Sequence, residues 1–378
     1  MLKIEITDET GNSLYVDNQY KNYMIDLSLE WIADSFQATL VNPGITIKPG
    51  YWFIASENGT IFFEGIITGT SRTVNKQGTE YTISGSSKVV LLTEAYCTTW
   101  MDENSGFRPD LVTPYDLFKA VLRQSQLFGQ PEAPSFSNTV SIGAEDAEAV
   151  VKADNAKIVT NYEWIPAVSY SDEFKAYQGA INPDDGKVIP LPFSVRPGHL
   201  IWDKLKEILV ESGFDAWYQN NTLYVGNLIK SRAALTPFML SEEDIIEQVL
   251  RIDENSSYSS IVITSTAPYN WGIHDTETYV SAGSESLSNI HRVKIEDVGE
   301  TNTDKVLEKE LWDQHIDMWQ LEVKVQGHVS SNGTPWVPNR IIKVDTVDYR
   351  NLSLIIKSVK FNFDRQDGST TTLSIVQA

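Results

Sequence analysis

The sequence predicts a mainly β fold with α+β insertions, in which two similar antiparallel β-barrel (tube-like) domains accompany small α/β domains. Three observations lead to this prediction. Runs of alternating polar and apolar residues recur along the chain, turns rich in Asn, Gly and Pro separate them, and one hairpin pattern occurs twice. The pattern reads GIITGTSRTVNKQGTEYTISG at residues 65–85 and LIIKSVKFNFDRQDGSTTTLSIV at residues 354–376.

The two hairpin patterns match residue by residue once the second is given one extra residue. Each begins with two isoleucines and closes a polar turn with a glycine, which supplies a positive φ at little steric cost. These residues are Ile66, Ile67 and Gly78 in the first copy and Ile355, Ile356 and Gly368 in the second. A proline precedes a strand upstream of each copy, at Pro49 and Pro338. Chance similarity between two β-meanders is the alternative; the match favours a duplicated barrel or sandwich module.

The N-terminal part reads as a series of short strands. Alternation is clearest over residues 24–31, which predicts a strand with one buried face. The strands are predicted at residues 2–7, 23–31, 35–41, 51–56, 60–73 and 80–86.

The middle of the chain changes to helical periodicity. Thr113 and Pro114 are typical of a helix start, and this helix is predicted to end near Gly129. A second helix is predicted after residues 197–198, ending at Gly213, followed by a hairpin over residues 214–225. The sequence also predicts an acidic insertion of loops and short strands, a further helix and a return to strands. These lie at 130–195, 303–318 and 319–376 respectively.

This order predicts three parts. Residues 1–96 form the first β-barrel domain. Residues 97–245 form small α/β domains with the acidic insertion near 130–195. Residues 246–378 form the second β-barrel domain with a helical insertion near 267–318.

The charge of the chain argues against tight binding of nucleic acid. It has 378 residues with 51 acidic and 30 basic side chains, a formal net charge of −21, whereas binding of DNA phosphates requires a basic surface. Solubility and an acidic wall past which DNA moves both remain open as explanations of the net charge.

The single cysteine, Cys97, predicts a buried or half-buried thiol and no disulfide. No signal peptide or long apolar stretch is found, so neither export nor membrane insertion is predicted.

Candidate chemical groups do not form a recognised site. His274 with Asp275, and His315 with Asp317, lack the spacing of known metal motifs. The adjacent carboxylates at 184–185 and 242–244 do not suggest the two separated acids of a glycosidase. We therefore predict no catalytic, cofactor-binding or metal-binding residues and no enzyme. The ten tryptophans are spread along the chain, which favours cores and subunit interfaces over a sugar-binding groove.

The order of these elements resembles the baseplate hub proteins of contractile phage tails. The likeness is greatest to the Mu-type hub and more remote to T-even hubs and the matching part of type VI secretion spikes. Four passages carry it: residues 62–67 with 81–87, Thr113 and Pro114 with 195–205, residues 253–263, and residues 326–339 with the last hairpin. Two departures are the long acidic insertion and Asn339, where the family has glycine.

The resemblance implies a structural protein of the virion tail baseplate, assembled in the host cytoplasm. It implies a homotrimer whose six barrel units present a sixfold face to the tail tube protein and a threefold face to the central spike protein. Baseplate wedge proteins would be further partners, and DNA only transient cargo of an acidic channel. The alternatives are the hub of a pyocin-like or type VI-like injection machine, and a carbohydrate-binding tail module.

Overall fold

The alternating segments from both ends of the chain assemble into one large sheet. The structure, a computed structural model, describes residues 2–8, 11–17, 20–29, 33–57, 59–76, 78–97, 101, 112–126, 167–181, 188–189, 193–219, 222–228, 231, 236–252, 260–266, 273–280, 293–297, 307, 319–345, 349, 352, 354–364 and 368–377. Among these residues, thirteen strands form one sheet. The predicted mainly β fold is therefore confirmed.

Seven strands form the N-terminal part of this sheet, here called the N-terminal module. They are β1 (Leu2–Thr7), β2 (Ser13–Asp17), β3 (Tyr20–Ser28), β4 (Ser35–Val41), β5 (Trp52–Glu57), β6 (Thr60–Asn75) and β7 (Gly78–Ser87). The sequence prediction missed β2 and placed the other boundaries within a few residues.

A small α/β domain follows β7. Its elements are α1 (Val90–Glu94), α2 (Pro114–Gln126), β8 (Ala167–Tyr170), α3 (Asp172–Ala176), β9 (Ala180–Ile181), β10 (Val188–Ile189), α4 (Ile201–Ser212), β11 (Asp215–Gln219) and β12 (Thr222–Gly226). Both predicted helices are confirmed. The backbone N–H of Asp116 donates to Thr113 Oγ1 at 3.1 Å, and α4 ends at the left-handed Gly213.

The rest of the large sheet, here called the C-terminal module, comes from the last third of the chain. Its elements are β13 (Phe238–Ser241), a 3₁₀ turn (Glu242–Asp244), β14 (Ile245–Ile252), β18 (Trp319–Gln326), β19 (Ile341–Asp345), β20 (Leu354–Asp364) and β21 (Gly368–Gln377). A separate three-stranded sheet of β15 (Ser260–Thr266), β16 (Ile273–Val280) and β17 (Val293–Asp297) lies between β14 and β18 in the chain.

Two predictions about insertions need correction. The segment 267–318 was predicted to be a helical insertion, but it contains β16 and β17; Leu307 is helical, and the rest of the predicted 303–318 helix lies outside the described residues. The insertion at 130–195 was predicted to hold loops and short strands; β8 is such a strand, but residues 172–176 form the helix α3 instead. β8 pairs in parallel with β12, so this segment is part of the sheet of the small domain.

Strand order reveals the same unit in both modules. The sheet runs β14-β18-β21-β20-β3-β4-β7-β6-β5-β1-β2, so β3-β4-β7-β6 repeats the arrangement of β14-β18-β21-β20. β5 and β19 occupy the same place beside the first residues of β6 and β20: Trp52 pairs with Ile66, and Ile341 with Ile355.

The two hairpins share a β-bulge at the same position. The register of β6 with β7 shifts between Ile67 and Gly69, and that of β20 with β21 shifts between Ile356 and Ser358. From bulge to turn the strands have equal length, residues 69–75 and 358–364, so the extra residue of the second copy lies in its turn. A bulge is a defined feature of a strand, and its recurrence makes Ile67 and Ile356 equivalent.

Left-handed residues repeat as well. Gly50 (φ 92°) donates its N–H to Ile67 O at 2.8 Å, and Asn339 (φ 60°) donates to Ile356 O at 2.9 Å. Asparagine tolerates this conformation better than most residues, so Asn339 preserves the geometry that glycine provides in the first copy. Similarly, Asn42 donates to Thr79 O at 2.7 Å and Gly327 to Ser369 O at 2.8 Å, both with positive φ.

The core packing shows how the same strand arrangement forms from the different sequences of the two modules. In the N-terminal module Phe36 pairs across from Gly85 and stacks on Phe53, with ring centroids 4.2 Å apart. At the equivalent pair of the C-terminal module, Leu321 faces Ile375. A large ring over a glycine is thus exchanged for two branched side chains of intermediate size, which conserves packing volume.

Gly85 should tolerate no side chain. A Cβ at this position would collide with the carbonyl oxygen of Ile66 and lie 2.7 Å from the Phe36 ring. We expect Gly85→Ala to lower the free energy of unfolding by about 2 kcal/mol, the usual cost of overpacking. Chemical denaturation measures it, with Ser84→Ala at the exposed neighbouring position as the control. Equal stability of the two variants would contradict the close approach.

Candidate assembly interface

The two modules join along one antiparallel seam between β3 and β20. Residues 23–28 pair with residues 358–363, from Tyr23 opposite Phe363 to Ser28 opposite Ser358. On the core face, Ile25 and Phe361 are fully buried within the hydrophobic cluster that spans both modules. The seam is therefore both a hydrogen-bonded ladder and a shared core.

A buried histidine links the modules next to this seam. The Tyr23 hydroxyl and His328 Nε2 share a hydrogen bond, and His328 Nδ1 lies 3.0 Å from Thr371 Oγ1. Because the Thr371 hydroxyl donates to Gly327 O at 2.6 Å, it accepts from Nδ1–H, and Nε2 then accepts from Tyr23. Burial against aromatic rings lowers the pKa of His328 to about 4, so this neutral tautomer persists at neutral pH.

Among the described residues, the equivalents of the two seam strands are paired on one edge only. By the internal repeat, β14 corresponds to β3 and β6 to β20. β14 pairs with β18 on one edge, and residues 69–75 of β6 pair with β7 on one edge. Within the described part of the chain, no strand pairs with the other edge of either segment.

Both open edges expose apolar side chains. The strand β14 carries four large ones, and β6 carries Val74, which is 66% exposed. The four are Ile246 (52% exposed), Val249 (40%), Leu250 (42%) and Ile252 (61%). An exposed strand edge with apolar residues is a template for pairing with another chain, and soluble proteins usually block it.

The equivalence of β14 and β3 extends to a second bulge. The register of β3 with β4 shifts between Tyr20 and Asn22, and that of β14 with β18 shifts between Ile245 and Glu247. Tyr23 and Gln248 therefore occupy the same place, as do Ile25 and Leu250. The edge of β14 thus has the shape of an edge that is paired elsewhere in the same chain.

A cleft between the sheet and the small domain holds the carboxyl group of Asp34. It is lined by residues that include Leu27, Phe62 and Tyr218. The Ser28 N–H donates to Asp34 Oδ1 at 3.2 Å, and Asp34 N–H donates to Ser87 Oγ at 3.0 Å. Burial raises the pKa of Asp34 well above its usual range. The backbone of Asp34 thus ties the β3–β4 connection to β7, and its carboxyl holds the end of β3, which gives the carboxyl a structural role.

The structure does not gather the candidate chemical residues of the sequence. His274 and Asp275 lie on β16, and Glu242–Asp244 forms a 3₁₀ turn capped by Ser241. The other candidates, at 184–185, 315 and 317, lie outside the described residues.

Cys97 is buried, and burial raises its pKa to about 11. In the described part of the chain, no three His, Cys, Asp or Glu side chains cluster as metal ligands would, and no helix has the length and apolar character to cross a membrane.

Comparison with solved structures places this architecture among phage tail proteins. The chain is similar to the tail protein from Neisseria meningitidis MC58 (18% identity, TM-score 0.64, covering 99% of this chain and 96% of that one). It is also similar to a 43 kDa tail protein of prophage MuSo2 from Shewanella oneidensis (15% identity, TM-score 0.63, 99% and 98% covered). No protein-family model and no curated protein sequence matches the chain.

The same fold occurs in a secretion machine. The chain is similar to an E. coli component of the type VI secretion system that is described as structurally similar to the T4 tail proteins gp27 and gp5 (11% identity, TM-score 0.50, 100% and 77% covered). At such identities the likeness concerns the fold. The chain has the fold of phage tail proteins, shared with a type VI secretion component, which confirms the resemblance drawn from the sequence.

The buried histidine predicts acid sensitivity. The pKa of His328 is lowered in the folded state to about 4, so the unfolded chain binds the extra proton first and stability falls as the pH drops from about 6.5 towards 4. Between pH 7 and pH 4 we expect the wild type to lose about 3 kcal/mol more unfolding free energy than His328→Gln. Urea denaturation across this range measures the difference. His199→Gln, outside the sheet, is the control; a His328→Gln profile parallel to the wild type would contradict the assignment.

Proposed function

We propose that the chain is the structural hub of a phage tail baseplate. Three copies form a ring of pseudo-sixfold symmetry that joins the tail tube to the central spike and surrounds the DNA channel. One observation carries the proposal: the chain pairs β3 with β20 internally and leaves the equivalent edges of β14 and β6 open. An open edge and its matching partner on the same chain make a heterologous interface, which closes into a ring when the rotation permits.

The internal seam supplies the register of the interface between copies. Transferring the β3–β20 pairing by the internal repeat places Val249 of β14 opposite Thr73 of β6 in the next copy. The same transfer places Leu250 opposite Arg72, and Arg251 opposite Ser71. Main-chain hydrogen bonds would then continue from one copy to the next, as in other cases of strand addition.

Closure of such a sheet leaves a wide opening. The run β14-β18-β21-β20-β3-β4-β7-β6 contributes eight strands, so three copies contribute 24. Barrels of roughly 16–18 strands already leave an aqueous channel, and diameter grows with strand number. A ring of this size has room for DNA to pass as transient cargo.

The two rims of the ring differ in symmetry. β6 and β20 run in the same direction because each step between them in the sheet order is antiparallel. All six hairpin turns therefore lie at one rim, which suits a sixfold tail tube protein. The small domain follows β7 and the sheet β15–β17 follows β14, both at the opposite rim. Only three copies of each exist there, which suits a threefold spike protein.

Other parts of the assembly follow from this role. We propose contacts with baseplate wedge proteins, a location in the virion tail baseplate after assembly in the host cytoplasm, and no membrane insertion or catalytic function. The domain division at residues 96 and 245 is retained as part of the proposal, although β13 already joins the sheet at Phe238–Ser241.

The hub of a type VI-like or pyocin-like injection machine is the second candidate. The fold shared with the E. coli type VI secretion component favours it. The ring would be built by the same strand addition, and only its tube and spike partners would differ. A carbohydrate-binding tail module stays the third alternative from the sequence.

Paired cysteines test the ring and its register. We expect Thr73→Cys combined with Val249→Cys to give covalent trimers on oxidation, since directly opposed strand residues have Cα atoms about 4.5–5.5 Å apart, within disulfide range. Non-reducing electrophoresis and native mass measurement give the readout, with electron microscopy for a central hole.

The matched control is Thr73→Cys with Leu250→Cys, whose side chains point to opposite faces of the sheet. Equal cross-linking of both pairs, or trimers that form without cross-links in the first, would contradict the register. A wild-type protein that stays monomeric at high concentration would contradict the ring.

A further inference from the structure

One face of the large sheet is apolar and the other is mainly polar. Strand alternation directs the fully or largely buried side chains of β4, Phe36, Ala38 and Leu40, into the core. β1, β5, β13 and β19 add their own apolar side chains to that same core. The intervening residues of each strand point to the other face, which is mainly polar and also carries the buried apolar pair Ile355 and Val376 of β20 and β21.

Small hydroxyl and amide side chains dominate the polar face. Thr39 Oγ1 and Thr82 Oγ1 lie 3.4 Å apart on adjacent strands of the N-terminal module. Gln320 Nε2 donates to Ser374 Oγ at 2.6 Å in the C-terminal module. Such groups offer hydrogen bonds without net charge.

The charged residues near the middle of the polar face stand beside opposite charges. Asp26 lies directly opposite Lys360 across the internal seam, and burial is the main cause of its raised pKa, against which Lys360 acts. Arg251 Nη2 is 3.2 Å from Glu322 Oε2. Glu247 lies directly opposite Lys324 on β14 and β18. Each pair joins two strands, so the charges cancel locally.

The second layer of strands on the core face decides which face of the sheet turns inward when the proposed ring closes. The core face already carries the additional strands and the shared hydrophobic cluster. A closed cylinder has less room inside than outside, so that layer belongs outside. The polar face then lines the channel.

We propose that the channel wall is a charge-balanced, hydroxyl-rich surface over which DNA slides without electrostatic adhesion, rather than the acidic wall considered from the sequence. This inference rests on the proposed ring. The net charge of −21 would then lie mainly outside the channel. The acids Asp26, Glu247 and Glu322 serve to cancel the neighbouring cations, which would otherwise hold phosphates.

Removal of the acidic partners tests the wall. We expect Asp26→Asn with Glu322→Gln to release two cations per chain, six per trimer. The variant should bind short duplex DNA with a log–log salt slope of about −5, following the dependence of roughly −0.9 per phosphate contact. Fluorescence anisotropy at several salt concentrations measures it. The wild type should show no such binding.

The control variant removes two acidic side chains at a site outside the proposed channel. Asp172→Asn with Glu173→Gln frees Lys175, which lies 3.2 Å from Asp172 on α3 in the small domain. Glu247→Gln with Glu322→Gln is a second channel variant that keeps the half-buried Asp26. Tight, salt-dependent binding by both channel variants and not by the control supports the proposal.

Three results would overturn the inference. One is binding by the control as strong as that of the channel variants. Another is no DNA binding by channel variants that native mass measurement shows to be trimers, and the third is steeply salt-dependent binding by the wild type. A monomeric wild type would overturn the ring itself, and with it any channel.

Discussion

The antiparallel pairing of β3 with β20 is the interaction on which the rest of the structure depends. It joins two copies of one strand unit edge to edge and so fixes the angle and register between them. Because the outer edges of the joined pair are again the edges of β14 and β6, the pairing also sets the geometry of any further copy. A chain that contains such a seam carries a template for its own repetition. The proposed ring then needs no new kind of contact.

The internal seam and the proposed seam between copies differ in chemistry for a physical reason. Inside the chain, the core face of the seam contains Tyr23, Phe361 and the buried His328, which never need to meet water once the protein has folded. The equivalents of Tyr23 and Phe361 at the open edges are Gln248 and Arg72. Arg72 lies over the Tyr81 ring at 5.9 Å, so an amphipathic side chain covers an apolar surface that would otherwise be exposed. These substitutions lower the tendency of a free edge to aggregate, while Leu250 and Ile252 retain apolar area for pairing.

Local patterns predicted the elements, but not the way the edges pair. The hairpins, the helix start at Thr113 and the stop at Gly213 follow from turn and capping residues that act within a few positions. Residues 245–252 (IIEQVLRI) have no clean period-two alternation, and only their place beside β18 makes them a strand. The strand β16 replaced part of a predicted helical insertion because its pairing with β15 is nonlocal. The open edges could not be predicted at all, since an edge is defined by the absence of a neighbour and not by its own sequence.

In the proposed ring, duplication would solve a symmetry problem that six identical chains would not. Six identical subunits give both rims of a ring the same sixfold symmetry, which cannot match a threefold partner. Two fused units can diverge wherever sequence is not constrained by strand pairing. Here the paired parts stayed alike down to their bulges and left-handed residues, whereas the connection after β7 holds a whole domain and the connection after β14 holds a three-stranded sheet. Both differences arise at the same end of the strands, opposite the hairpin turns. In the proposed ring, the pairing constraint would thus keep one rim alike in both units and let the other rim diverge, and the change of symmetry between the two rims would follow from it.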